Sequence, residues 1–129
     1  MPATPPRPND AELEILTVLW SRGPSTVREV HEVVEQHKPT QYTTVLKLLQ
    51  IMAGKNLVRR DEEKRAHVYE AAISCELMQR QLAGDLLQRA FAGSAARLMQ
   101  GALSAGRTSE AELAELRKLL DEYGKRGKK

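Results

Sequence analysis

The chain has 129 residues, 41% of them hydrophobic and 29% charged, with a formal net charge of +3. That length suits one ordinary domain or a small domain with an appendage; no apolar run approaches the roughly 20 residues that cross a bilayer, and nothing resembles a signal peptide. The single cysteine, Cys75, excludes an internal disulfide and a cysteine-based zinc knuckle within one chain, so a soluble, cytoplasmic protein is expected.

Residues 1–8 hold four prolines and no apolar periodicity, which predicts a disordered tail. A first helix follows in "NDAELEILTVLWSRGP", with Asn9 or Asp10 as its cap and acids in its first turn. Leu13, Leu16, Val18, Leu19 and Trp20 supply its buried side, and Gly23-Pro24 stops it. Ser25-Thr26 reads as a cap or a very short strand. Val27, Val30, Val33 and Val34 then recur at helical spacing until Pro39.

A third helix is predicted from about Tyr42 to Lys55. Tyr42, Val45, Leu48, Leu49 and Met52 share one arc of its wheel, and Thr43, Thr44, Leu46, Lys47, Gln50 and Ile51 share the opposite one. Gly54 and Asn56 close it. "LVRRD" and "AHVYEAA" read as two strands of a hairpin around the polar turn Glu62 to Arg65. Helix, short strand, helix, helix, hairpin is the order of a winged helix-turn-helix.

Beyond Ser74 the pattern is helical throughout. One helix runs from Cys75 to Phe91, Gly93-Ser94 breaks it, and a shorter helix spans Ala95 to Ser104. Ser109 and Glu112 form a capping box for a last helix carrying Leu113, Leu116, Leu119, Leu120 and Tyr123 along one side. About 50 residues are too few for an independent core, so these stripes need a partner, most simply the same segment of a second chain. The expected fold is mainly α: a tail over 1–8, a winged helix-turn-helix DNA-binding domain over 9–73, an all-helical dimerisation domain over 74–124 and a basic tail over 125–129. Leu82, Leu86, Phe91, Leu98, Leu103, Leu116 and Leu120 are the expected dimerisation residues.

Charge is unevenly spread. From Asp10 to Gln36 six acids face only Arg22 and Arg28, whereas from His37 to His67 seven bases face Asp61, Glu62 and Glu63. A basic stretch of this kind suits a polyanion, although such runs are also ordinary solvated surface. A recognition helix needs one side for its own domain and another for a groove about 12 Å wide, with short polar residues at its N-terminal end. Thr43, Thr44, Lys47 and Gln50 are therefore the expected base readers. Gln41, Tyr42, Lys55, Arg60, Lys64 and Arg65 are the expected phosphate contacts, with Arg59 adding charge to the wing. The alternative for the wing cations is a solubilising edge ribbon.

The stretch "DAELEILTVLWSRGPSTVREVHEVV…YTTVLKLLQIMAGKNLVRRDEEKRAHVYEA" resembles the penicillinase-repressor family of bacterial transcription regulators, the BlaI/MecI/CopY type. The resemblance rests on Glu12 to Trp20, Gly23-Pro24, Val27-x-x-Val30, Tyr42-Thr43-Thr44-Val45, Lys55-Asn56-Leu57 and Arg65-Ala66-His67-x-Tyr69, and on "SEAELAELRKLL" near the end; it covers Asn9 to Tyr123. It implies a homodimer whose third helices enter the major groove of an inverted repeat, commonly built around TACA and TGTA, and so block RNA polymerase. By position, Thr43, Thr44 and Lys47 match reading residues, and the wing around Lys64 and Arg65 matches backbone contacts. Leu46 and Ile51 depart from the family, whose members often carry basic or polar residues there. Relatives that control β-lactam resistance are cleaved at an Asn-Phe bond, implying an upstream protease or sensor. Gly101-Ala102 stands at the corresponding place here, and the paired cysteines of copper-responsive relatives are missing.

Other constellations are weaker. His31 and Glu35 lie one turn apart and read as a solvent-exposed pair rather than a metal site. His67 on the wing strand suits either a phosphate or a half-buried position. Cys75 at a helix start has no resolving partner in the chain. No nucleophile elbow, Gly-rich phosphate loop or metal motif is present, so neither an enzyme nor a cofactor is expected. The expected function is a sequence-specific repressor that binds duplex DNA as a homodimer. A winged-helix protein-interaction scaffold is the alternative, with Leu46 and Ile51 as its contact residues.

Overall fold

The computed structural model describes residues 7–63 and 67–127. The expectations for most of the N-terminal tail, for Lys64 and Arg65, and for the last two lysines fall outside those residues. The elements in order are α1 (Asp10–Arg22), β1 (Ser25–Thr26), α2 (Val27–His37), α3 (Tyr42–Gly54), β2 (Val58–Asp61), β3 (Val68–Ala71), α4 (Cys75–Ala90), α5 (Ala95–Ala105) and α6 (Glu110–Gly127). The chain divides into two compact units, the first ending at Ala83 and the second beginning at Gly84.

In the first unit α1 and α2 start where a polar side chain answers orphan backbone N–H groups. The Asn9 side chain accepts from Glu12 N at 2.9 Å, and Asn9 N donates back to Glu12 Oε1 at 2.9 Å. Thr26 and Glu29 repeat this reciprocal pair at the start of α2. A box of this type satisfies two donors at once. Gly23 ends α1 at φ 89°, a region that L side chains rarely adopt. Lys38, extended ahead of Pro39, ends α2. Asn56 at φ 63° carries the chain from α3 into the sheet.

Apolar periodicity decides what lies inside. Ile15, Leu16 and Leu19 of α1, Val30 and Val34 of α2, and Val45, Leu49 and Met52 of α3 form one cluster with Leu57, Val58, Tyr69 and Ile73. Leu49 is wholly buried, so truncation to Ala would cost about 2–5 kcal/mol. The sheet order is β1-β3-β2, all antiparallel, with Ser25 opposite Tyr69 and Arg60 also opposite Tyr69 from the other side. Trp20 closes the domain: its Nε1–H donates to Ile73 O at 2.9 Å, tying α1 to the chain beyond the hairpin.

Two expectations are corrected, those for Leu46 and His31. Leu46 flanks Leu49 on the wheel and packs, partly buried, against the core instead of facing outward. Tyr42, one turn ahead of Val45 on the same arc, is exposed, which leaves it accessible to a partner. His31 is not a solvent-exposed side chain: only 18% of it is accessible, and the turn before α3 covers the rest.

The second unit contains the rest of α4 and all of α5 and α6. Ser94 Oγ accepts from Arg97 N, and Ser109 Oγ accepts from Glu112 N, fixing the starts of α5 and α6. Ala92 and Gly93 make the break between α4 and α5, both at positive φ. Phe91 covers Gly101, whose absent Cβ would meet the ring at 3.6 Å. No residue of α5 or α6 is fully buried. Ala95, Ala96, Met99, Leu103 and Leu120 are among the residues lining an open, mainly apolar groove of ≈ 580 Å³.

Candidate nucleic-acid interface

The buried spacing of Val45, Leu49 and Met52 dictates which side of α3 remains bare. That side carries Thr43, Thr44, Lys47 and Gln50, all exposed, followed by Ile51 at 42% exposure. Two hydroxyls, an ammonium and an amide thus line one strip of helix surface. No carboxylate among the described residues pairs with Lys47. Gln41, the N-cap, makes no side-chain capping bond, so the first turn of α3 relies on backbone bonds from Thr44 N and Val45 N to Gln41 O, at 3.1 and 3.2 Å. Helix N-termini of this kind, with N–H groups left over, suit an anion.

The wing is built differently from the sequence reading. Its described cations are each matched to an acid. Arg60 Nη2 lies 2.7 Å from Glu62 Oε1, and Arg59 Nε lies 3.4 Å from Glu70 Oε1 across the strands. The Glu62 contact holds the Arg60 guanidinium above its ordinary range and holds the Glu62 carboxyl below its own. Asp61 Oδ1 accepts from Glu63 N at 3.0 Å, which begins the turn. Lys55 is also engaged: its ammonium lies 2.8 Å from Glu12 Oε2, and Glu12 is 1% exposed. A phosphate at Lys55 or Arg60 would therefore compete with a carboxylate already in place. His67 is exposed on the wing.

Sequence reasoning missed Glu12 and Glu70 as partners of these cations, and noted Glu62 beside the wing cations without assigning it to Arg60. The Asn9-x-x-Glu12 spacing marks a capping box, and Arg60-x-Glu62 places opposite charges two residues apart. The pairing of Glu12 with Lys55, 43 residues apart, has no local signal.

The expected dimerisation residues fall into two groups. Leu82 is half-buried against the core of the first unit. In the second unit Leu86, Leu103 and Leu120 are exposed, and Phe91, Leu98 and Leu116 are half-buried. Among the described residues no three His, Cys, Asp or Glu side chains gather to hold a metal ion, and no helix is long and apolar enough to cross a membrane.

Comparison with known proteins places these features in context. A family model described as penicillinase repressor matches residues 9–122. The chain is 45% identical over 64 residues to the transcriptional regulator BlaI of Mycobacterium tuberculosis, in both the CDC 1551 / Oshkosh and the ATCC 25618 / H37Rv strains. That match covers 49% of this chain and 46% of the relative, so the chain spans about half the length of these curated relatives. Among solved structures, monomeric BlaI of Bacillus licheniformis in complex with the blaP half-operator is 25% identical with a TM-score of 0.50, covering 57% of this chain and 89% of that one. The DNA-binding domain of the repressor BlaI is 24% identical with a TM-score of 0.51, covering 57% and 90% respectively, and shares the winged-helix fold.

Proposed function

The chain belongs to the penicillinase repressor family, and on that premise we propose that it is a DNA-binding transcriptional repressor acting as a homodimer on an inverted-repeat operator. The observation that carries this reading is the division of α3, with Val45, Leu49 and Met52 inside and Thr43, Thr44, Lys47 and Gln50 outside. A helix divided in this way leaves a polar, singly cationic strip free to enter a major groove while its other side holds the domain together. Thr43, Thr44, Lys47 and Gln50 read base edges. Gln41 and the N-terminal turn meet a phosphate, and the wing, with Lys64 and Arg65, lies along the backbone.

Pairing of two chains is supported by the second unit, whose helices bury no residue fully and expose Leu86, Leu103, Leu119, Leu120 and Tyr123. Apolar exposure on that scale marks an interaction surface. Two reading helices related by a two-fold axis then face two half-sites about one helical turn apart.

One observation favours the scaffold reading: Ile51 is an exposed apolar residue on the same strip as Lys47. Titration of the full chain with duplex from its own upstream region, at low and moderate salt, separates the two. Steeply salt-dependent, sequence-selective binding supports the repressor. No binding at low salt would replace it by the scaffold.

A further inference from the structure

We propose that His31 is a positioning residue for DNA reading: from α2 it fixes the backbone of the turn that launches α3, and so sets where Thr43 and Thr44 meet the groove. The proposal rests on the reading role of α3 given above.

The turn has little else to hold it. Gln41 provides no side-chain cap, and Thr40 spends its hydroxyl on Lys38 O at 2.8 Å. The Thr40 carbonyl is instead taken by His31 Nε2 at 2.7 Å, from nine residues earlier in the chain. The same nitrogen lies 3.3 Å from Glu35 Oε2. A carbonyl and a carboxylate both only accept, so Nε2 must carry the hydrogen. An Nε2–H can make the bond to Thr40 whether or not the ring carries a second hydrogen. Tyr42, the first residue of α3, packs against the edge of the ring at 5.8 Å between centroids and 80° between planes. One side chain therefore grips the residue before the N-cap and the residue after it.

A helix held at its first turn transmits a small error directly to the residues beside it. Thr43 and Thr44 lie within four positions of Thr40, so loosening that carbonyl loosens the atoms that approach the bases. Lys47 has a long, flexible stem and is less affected. His31 touches no base in this scheme; it acts only through Thr40 and Tyr42.

The test compares two variants of the full chain. His31→Phe keeps a ring for Tyr42 but has no donor, whereas His31→Gln restores an N–H near the position of Nε2. The first measurement is amide exchange at Thr44 and Val45, whose N–H groups close the first turn of α3. Exchange should quicken in His31→Phe and return toward wild type in His31→Gln; unchanged exchange in His31→Phe would overturn the proposal. The second is affinity for a duplex selected from a random pool by the wild-type chain, against a random duplex. His31→Phe should bind the selected duplex about three- to tenfold more weakly, the worth of one lost hydrogen bond, with a smaller loss on random duplex. Equal loss on both duplexes, or none on the selected one, would count against His31. If the wild-type chain selects no duplex, the repressor reading falls, and so does the DNA-reading role assigned to His31. Amide exchange then still decides whether His31 holds the turn.

Discussion

Glu12 Oε2 stands 2.8 Å from Lys55 Nζ, so one carboxylate joins the N-terminus of α1 to the C-cap of α3. Each charge lies at the helix end whose dipole favours it, and Glu12 is almost wholly enclosed, whereas a third of Lys55 remains exposed. The two partners are therefore unequal. Removing the ammonium strands a buried anion, but removing the carboxylate leaves a cation that can still reach water. Lys55→Met should lower unfolding free energy by roughly 2–4 kcal/mol, against about 1–2 kcal/mol for Glu12→Gln, as read from urea denaturation. The salt dependence of DNA binding by Lys55→Met should match wild type. A drop in that slope would show Lys55 leaving Glu12 for a phosphate.

Lys47 differs from the other described cations around the helix and wing, since no carboxylate among the described residues engages it. It projects from the same strip as Thr43, one turn along. Lys47→Ala should weaken a selected duplex by about 1–3 kcal/mol and a random duplex by less, measured by fluorescence anisotropy. Equal losses on both would make Lys47 a phosphate contact and leave base reading to the threonines and Gln50.

Arg60 and Glu62 form a tight surface pair on the wing. Exposed pairs of this kind add little to stability, yet this one occupies a guanidinium suited to DNA phosphate. Glu62→Gln should free Arg60 and make the plot of log affinity against log salt steeper by about 0.9 on random duplex, with the melting temperature unchanged. An unchanged slope would mean that Arg60 stays off the DNA backbone even when released.

Much of this fold is legible in the sequence, because valine and leucine spacing decides which sides of the helices are buried. Val45, Leu49 and Met52 fall where the wheel puts them, and Gly23, Pro39 and Asn56 mark breaks that follow from backbone sterics. The errors arise where tertiary context overrides periodicity. Leu46, outward by spacing, is drawn in at the core's margin, and His31 is engaged by the turn before α3. The candidate site is legible as composition and illegible as electrostatics. Counting Lys55 and Arg59 as free cations overlooks Glu12 and Glu70, which the fold brings to them from a distant helix and a neighbouring strand, whereas Glu62 stands beside Arg60 in the sequence itself.

The start of α2 offers a pH-dependent signature of the same box chemistry. Glu29 Oε1 accepts from Thr26 N at 2.9 Å, and Oε2 accepts from Arg22 Nη2 at 2.9 Å. The backbone hydrogen bond from Thr26 is the chief cause holding this carboxyl below the ordinary glutamate range, with Arg22 adding to it. A carboxyl with a lower pKa in the folded chain than in the unfolded one favours folding when ionised. Its contribution is complete above the unfolded value and disappears as pH falls through the folded one. Glu29→Gln preserves an acceptor for Thr26 but has no charge to lose. The stability difference between wild type and Glu29→Gln, followed by urea denaturation from neutral pH downward, should stay constant until the ordinary glutamate range and then shrink. A difference that persists at the acid end would assign the effect of Glu29 to packing or hydrogen-bond geometry, and not to its ionised carboxylate.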